Sequence, residues 1–316
     1  MTGDRGGRAR ETAPHPVPEA GDAPAAARSS RSAEVWRAVV ANRLAVIALA
    51  ILGQLLLAAA LGEALAPFGA NEVSVPDRLQ APSPSHWFGT DELGRDVLSR
   101  VLIAARVSFQ VGAIAVGIAL VVGVSMGLVA GFYRGALDSL IMRITDVMFA
   151  FPAILLAIAI LAVLGPGIAN AMIAIGIVYT PIFARITRAS VLSVREEPYV
   201  RAARSIGASD WRLLRLHVLP NVLAPIIVQT SISLAFAILA EAALSFLGLG
   251  VQPPAPSWGR MLFDGRAFIQ QAWWMAVFPG LAILFTVLAL NLLGDALRDA
   301  LDPRQKSVIE SRGLST

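Results

Sequence analysis

The sequence has no cysteine, a single lysine (Lys306) and only 15% charged residues among its 316 positions. Without cysteine, no thiolate is available as a metal ligand or nucleophile. A P-loop needs a lysine directly after a glycine-rich turn, but Lys306 follows Arg304-Gln305, so the chain carries no such phosphate-binding motif. His-Glu-x-x-His is also missing, which leaves no signature of a zinc-dependent protease. We therefore expect a non-catalytic chain with no metal site and no cofactor. Soluble domains carry about 25% charged residues, so a water-soluble globule is excluded as well. The isoelectric point of about 10.3 rests on a small excess, 26 Lys+Arg against 22 Asp+Glu, and does not point to nucleic acid.

What the chain has in quantity is apolar sequence: 56% hydrophobic residues and a mean hydropathy of +0.67. A membrane-spanning helix uses about 20 apolar residues, and the uncharged runs predict an all-α, polytopic membrane protein with six transmembrane helices. Their expected positions are about 40–62, 107–132, 142–164, 169–189, 220–247 and 272–294. Gly165-Pro166-Gly167 supplies the turn between the third and fourth. Residues 1–33, rich in Ala, Pro, Gly, Arg and Ser, are expected to form a disordered cytoplasmic tail. The membrane domain is expected over 34–304, followed by a second cytoplasmic tail over 305–316.

Short connections rich in arginine stay on the cytoplasmic side. The segment after the fourth span carries Arg185, Arg188, Arg195, Arg201, Arg204, Arg212 and Arg215 against Glu196, Glu197 and Asp210. With six spans, both termini are then cytoplasmic, and residues 63–106 lie outside. The six tryptophans all fall in connections or at span ends, where an amphipathic ring suits the bilayer interface.

Within the spans, Gly123, Gly127 and Gly131 line one helical face, which permits close helix packing. That face suits packing within this chain or against a second subunit. Pro152, Pro181, Pro225 and Pro279 in or near spans three to six are expected to kink them. Glu241 is the one acidic residue deep in an apolar run. Buried carboxylates in membranes are costly and face a cavity or a partner. It is a candidate for the solute pathway, facing a substrate amine, or for a hydrogen bond that fixes the end of its helix before Gly248. Asp146 is expected to pair with Arg143. In the external stretch 85–100, Asp91 with Arg95 and Asp96 with Arg100 read as i,i+4 pairs giving modest surface support, on a capped helix leading into span two that is also expected to form part of an external docking face for another protein.

The segment 195–220 reads as a helix-turn-helix outside the bilayer. Acidic residues precede Pro198, which suits the first helical position; Gly207 suits the left-handed position after the helix end. Ser209 caps a second short helix presenting Trp211, Leu214 and Val218. By composition alone the segment suits either anionic lipid headgroups or a protein partner.

Ala202-Ala203, Gly207 and Leu219-Pro220 stand at the spacing of the EAA loop, so the chain resembles the integral-membrane permease subunits of bacterial ABC importers. Arg201 stands where that pattern has glutamate. Gly89–Arg100, Ala240–Gly250 and Leu293–Arg304 further resemble the C-type permease of the dipeptide/oligopeptide/nickel subfamily. The likeness runs from about residue 36 to 304. It implies the type I ABC importer permease fold in a bacterial plasma membrane, with Arg201, Ala202, Ala203, Gly207, Leu219 and Pro220 in the loop that couples to the ATPases. The implied partners are a homologous B-type permease, two cytoplasmic ABC ATPase subunits, which hydrolyse the ATP, and an extracytoplasmic substrate-binding protein. The implied solutes are di- and oligopeptides or nickel chelates. The competing class is a self-contained ion-coupled secondary transporter, which usually carries inverted repeats and several midplane ionisable groups; no internal repeat is visible here.

Overall fold

A computed structural model describes residues 31–301. The tails expected over 1–33 and 305–316 thus lie outside the described residues, apart from 31–33, which already belong to a helix. Among the described residues there is no strand. The helices are α1 (Arg31–Ala41), α2 (Arg43–Leu65), α3 (Val97–Tyr133), α4 (Gly135–Phe149), α5 (Ala153–Leu164), α6 (Ile168–Val194), α7 (Pro198–Ser205), α8 (Asp210–Arg212), α9 (Leu219–Phe246), α10 (Trp258–Gly265) and α11 (Trp274–Leu301).

Five rods are long and apolar enough to cross a bilayer, and a sixth crossing is available if the bent pair α4–α5 counts as one span. This pair departs from the straight span expected over 142–164, because its halves meet at 94°. Pro152 is the reason: it lacks an N–H, and it drives the preceding residue, Phe151, away from helical geometry. By contrast, Pro181, Pro225 and Pro279 remain inside their helices. The second span is longer than expected, because α3 starts at Val97 and takes in both Arg100 and Arg106. Arg100 is buried and Arg106 lies 3.7 Å from Glu63.

The glycine stripe brings α3 and α6 into backbone contact. A Cβ on Gly123 would stand 2.5 Å from the Thr180 carbonyl oxygen, and one on Gly127 2.5 Å from that of Ala184; Gly131 meets Val191. The partners advance together along both helices, so α3 and α6 run parallel. The stripe is used within the chain. Around α3 and α9 sit two apolar cores. One joins them to α2, α10 and α11 through residues such as Leu52, Trp258 and Trp274; the other joins them to α5, α6 and α7 through Phe183, Ile175 and Leu213. The bundle has two ends, one carrying residues 195–218 (the loop end) and the other carrying 66–96 and 248–273 (the far end).

Candidate functional site

At the loop end, Arg195 follows α6 and donates from Nη1 to the Phe132 and Gly131 carbonyls at 2.5 and 3.3 Å. Those carbonyls belong to the last turn of α3, where no intrahelical partner is available, so Arg195 ties the ends of α3 and α6 together. Arg134 adds an exposed pair with Glu196 at 2.9 Å. α7 then opens on Pro198 and closes at Ser205, and Gly207 takes φ +85°. The Ala208 N–H donates to the Ala203 carbonyl at 3.1 Å and closes the helix end. The expected roles of Pro198 and Gly207 are therefore both present.

The second half of the segment differs from the expectation. Ser209 makes no capping hydrogen bond, and the second helix is not short. α8 passes through a wide π-type turn at Leu213–Val218 directly into α9, giving one rod from Asp210 to Phe246. Its inward face is Leu213 and Val218, fully buried, while Trp211 points outward at 70% exposure. The extra residue in such a turn accommodates Pro220, which has no N–H for the ladder.

Loop and span are thus mechanically continuous. Val200, Leu213 and Val218 anchor the segment to the bundle. Arg201, Ala202, Gly207 and Pro220 are exposed, whereas Ala203 and Leu219 are half-buried. Sequence reading missed Ile206, a large aliphatic residue 87% exposed at the tip. Its signal was an isoleucine directly before the turn glycine, with no packing partner in reach.

Toward the far end, Glu241 is 1% exposed. Ser245 Oγ donates to its Oε1 at 2.7 Å and also accepts from the Val251 N–H at 3.0 Å. Ser108 of α3 and Ser257, the N-cap of α10, lie against the same carboxyl. Next to it Gly259 lets α10 touch the backbone of α9, where a Cβ would stand 2.5 Å from Ala242 Cα. The carboxyl is turned into the joint of α3, α9 and α10.

The stretch 85–100 forms a buried charge knot, not a surface helix. Arg95 and Asp91 do pair, at 2.6 Å, but both are at least nine-tenths buried, and Asp91 also accepts from the Leu93 and Arg95 N–H groups. Asp96 does not pair with Arg100. It caps α3 by accepting from the Ser99 N–H and hydroxyl at 2.8 and 2.7 Å, and meets His86 Nδ1 at 2.9 Å. Arg100 reaches the Ala70 carbonyl instead, at 2.9 Å. Two tryptophans placed by sequence at the bilayer interface are interior anchors here: Trp274 donates to the Thr90 carbonyl and Trp258 to that of Val101. Burial, then the neighbouring Asp91 charge, pushes the Glu92 carboxyl above the usual carboxylate range. Asp146 pairs with Arg185 at 2.5 Å, not with Arg143.

Residues 123–307 match the model of the binding-protein-dependent transport system inner membrane component, and residues 30–82 match that of the N-terminal transmembrane domain of oligopeptide transport permease C. The chain belongs to this family of ABC importer permeases. It is 50% identical over 274 residues to a dipeptide transport system permease protein of Alkalihalophilus pseudofirmus, covering 87% of this chain and 90% of that one. Against a glutathione transport system permease protein of Pectobacterium atrosepticum it is 46% identical over 275 residues, covering 87% and 91%. A chain of the inward-facing MetNI methionine ABC transporter shares its fold, with a TM-score of 0.53 at 16% identity over 64% of this chain and 96% of that one.

The permease is thus a non-catalytic, multi-pass inner membrane subunit with ATPase and permease partners, and family membership favours this reading over a self-contained ion-coupled carrier. The far-end joint and the loop-end rod belong to one permease subunit, joined through α9.

Proposed function

We propose that this permease forms half of the pathway for peptides, from dipeptides to tripeptides such as glutathione, in an ATP-driven importer. The support for the solute class is the set of relatives named for dipeptide and glutathione transport; nickel chelates find no such support among them. Both termini and residues 195–218 face the cytoplasm, in keeping with the arginines there. A homologous B-type permease supplies the other half of the pathway, two ATPases sit below, and a substrate-binding protein delivers solute from outside.

Residues 195–218 act as the coupling loop. Their exposed side, with Arg201, Ala202, Ile206 and Gly207, seats in the ATPase, and closure of the ATPase pair moves the loop. The single observation carrying this reading is the unbroken rod from Asp210 to Phe246, because a push on its loop end tilts the whole of span five. Leu219 and Pro220 form the stiff base of that rod. Glu241 holds the far end of the same span to α3 and α10 without touching solute. Gly123, Gly127 and Gly131 make α3 and α6 move as one body.

Reconstitution with the partner subunits tests the reading. Uptake of a labelled dipeptide must require both ATPases and ATP; uptake driven by a proton gradient alone contradicts it.

A further inference from the structure

Arg266 follows α10 at the far end, exposed yet held in place. Its guanidinium lies 3.8 Å from the centroid of the Phe263 ring and 5.9 Å from that of Phe246, and Nη1 donates to the Phe246 carbonyl at 3.4 Å. Stacking on an aromatic face suits the planar arginine head and leaves the N–H groups along its edge open to a ligand. The other far-end arginines are engaged: Arg95 pairs with Asp91 and Glu92, Arg260 pairs with Asp264, and Arg78 donates to the Glu92 carbonyl. Among the described residues, Arg266 pairs with no carboxylate and makes no hydrogen bond besides the one to Phe246. Phe246 places this arginine on span five. It ends α9, whose far-end half leaves one face open: Phe236, Leu239 and Phe246 are exposed, and Ala240 and Ala243 border a hollow of about 240 Å³ that α9 shares with α5 and α6. Ala243 and Phe246 are three residues apart and so neighbours on the helix surface. Arg266 thus stands about one turn beyond the hollow.

We infer that Arg266 binds the terminal carboxylate of a peptide solute at the far-end entrance to the pathway, and so selects for solutes that carry one. This deepens the peptide reading above and rests on it. A guanidinium fixed in direction but not neutralised offers paired donors that match the two oxygens of a carboxylate. The surroundings favour a zwitterionic peptide over an anionic lipid headgroup. Residues 66–96, at the same end, hold Glu72, Asp77, Asp91, Glu92 and Asp96 against Arg78 and Arg95, an acid excess that repels a negative surface and attracts an ammonium group. Tilting span five moves Phe246, on which Arg266 stacks, so the grip on the carboxylate changes as the importer turns over.

The importer reconstituted with its partner permease, ATPases and binding protein tests this with two labelled probes, alanylalanine and its C-terminal amide, which lacks the carboxylate. Each is supplied at a concentration that saturates the binding protein, so that protein's own preference drops out. Wild type is expected to take up the acid about tenfold faster than the amide, the fold-change for one hydrogen bond to a charged group. Arg266→Gln is expected to slow acid uptake by about that factor and to leave amide uptake, melting temperature and ATPase co-purification unchanged. A wild-type ratio near one, or unchanged acid uptake in Arg266→Gln, overturns the inference. So does equal slowing of both probes, the result if Arg266 serves a lipid phosphate, an acidic side chain of the binding protein or the fold alone. Should Arg266→Gln fail to fold, Arg266→Lys, which keeps the charge but loses the fork, must still narrow the ratio; an unchanged ratio overturns the inference. A wild type that imports neither probe with ATP contradicts the peptide reading itself, and the role of Arg266 falls with it.

Discussion

Arg188 on α6 grips both carboxylate oxygens of Asp138 on α4, with Nε 2.5 Å from Oδ1 and Nη2 2.7 Å from Oδ2. α4 otherwise exposes Leu140, Ile144 and Val147 and keeps only Thr145 buried. A two-pronged charged pair holds direction as well as distance, so it sets where the first half of the bent span lies. Asp138→Ala is expected to lower thermal stability of the detergent-solubilised chain by about 1–2 kcal/mol. Exchanging the two residues should recover part of the loss. An unchanged melting temperature in Asp138→Ala would show that the pair does not hold α4.

The α3–α6 contact contains its own control. Gly127→Leu drives a side chain into the Ala184 backbone, which cannot yield, and overpacking of this kind costs about 1–3 kcal/mol or more. Gly117, on the same helix, has nothing within 4 Å of a Cβ, so Gly117→Leu should be neutral. Equal effects of the two substitutions on melting temperature would contradict the packing described.

Glu92 gives the far end a pH dependence. Burial raises its pKa above the usual value, so in the folded chain the carboxylate is disfavoured relative to the unfolded one. The stability linked to this group is complete below the ordinary glutamate pKa of about 4.3. It is lost as pH rises through the higher folded value. Glu92→Gln keeps an oxygen for Arg95, which lies 3.0 Å away, and removes that dependence. Melting temperature of the variant relative to wild type is expected to rise with pH across this window; a difference flat in pH would oppose it.

Asp96→Ala removes the cap of α3 and leaves His86 without its partner. Caps of this type are worth about 1–2 kcal/mol, and hydrogen exchange at residues 97–101 should quicken before the rest of α3. Uniform exchange along the helix would count against the cap.

Much of this architecture is legible in the sequence, for identifiable reasons. Uninterrupted apolar runs mark the spans because a bilayer tolerates little else, and Gly207 marks its turn because few other residues take φ +85°. The bend at Phe151–Pro152 was less visible, since prolines at 181, 225 and 279 look alike in sequence yet stay within their helices. The knot at 85–100 misled for another reason. An i,i+4 spacing of opposite charges is read as a surface helix, but Asp96 and Asp91 spend their oxygens on backbone N–H groups. That Asp210 begins span five was hidden by Pro220, which reads as a boundary and is instead absorbed by the π-type turn. Ile206 escaped notice because exposure at a loop tip leaves no periodic trace.

Coupling through the 195–218 loop is tested most directly by Ile206→Asp in the assembled importer, reading ATPase co-purification and ATP-dependent dipeptide uptake together. Ile206 is 87% exposed, so the substitution should leave the fold and melting temperature of the chain alone. The expected result is loss of both ATPase retention and uptake; wild-type levels of both would contradict coupling through this loop.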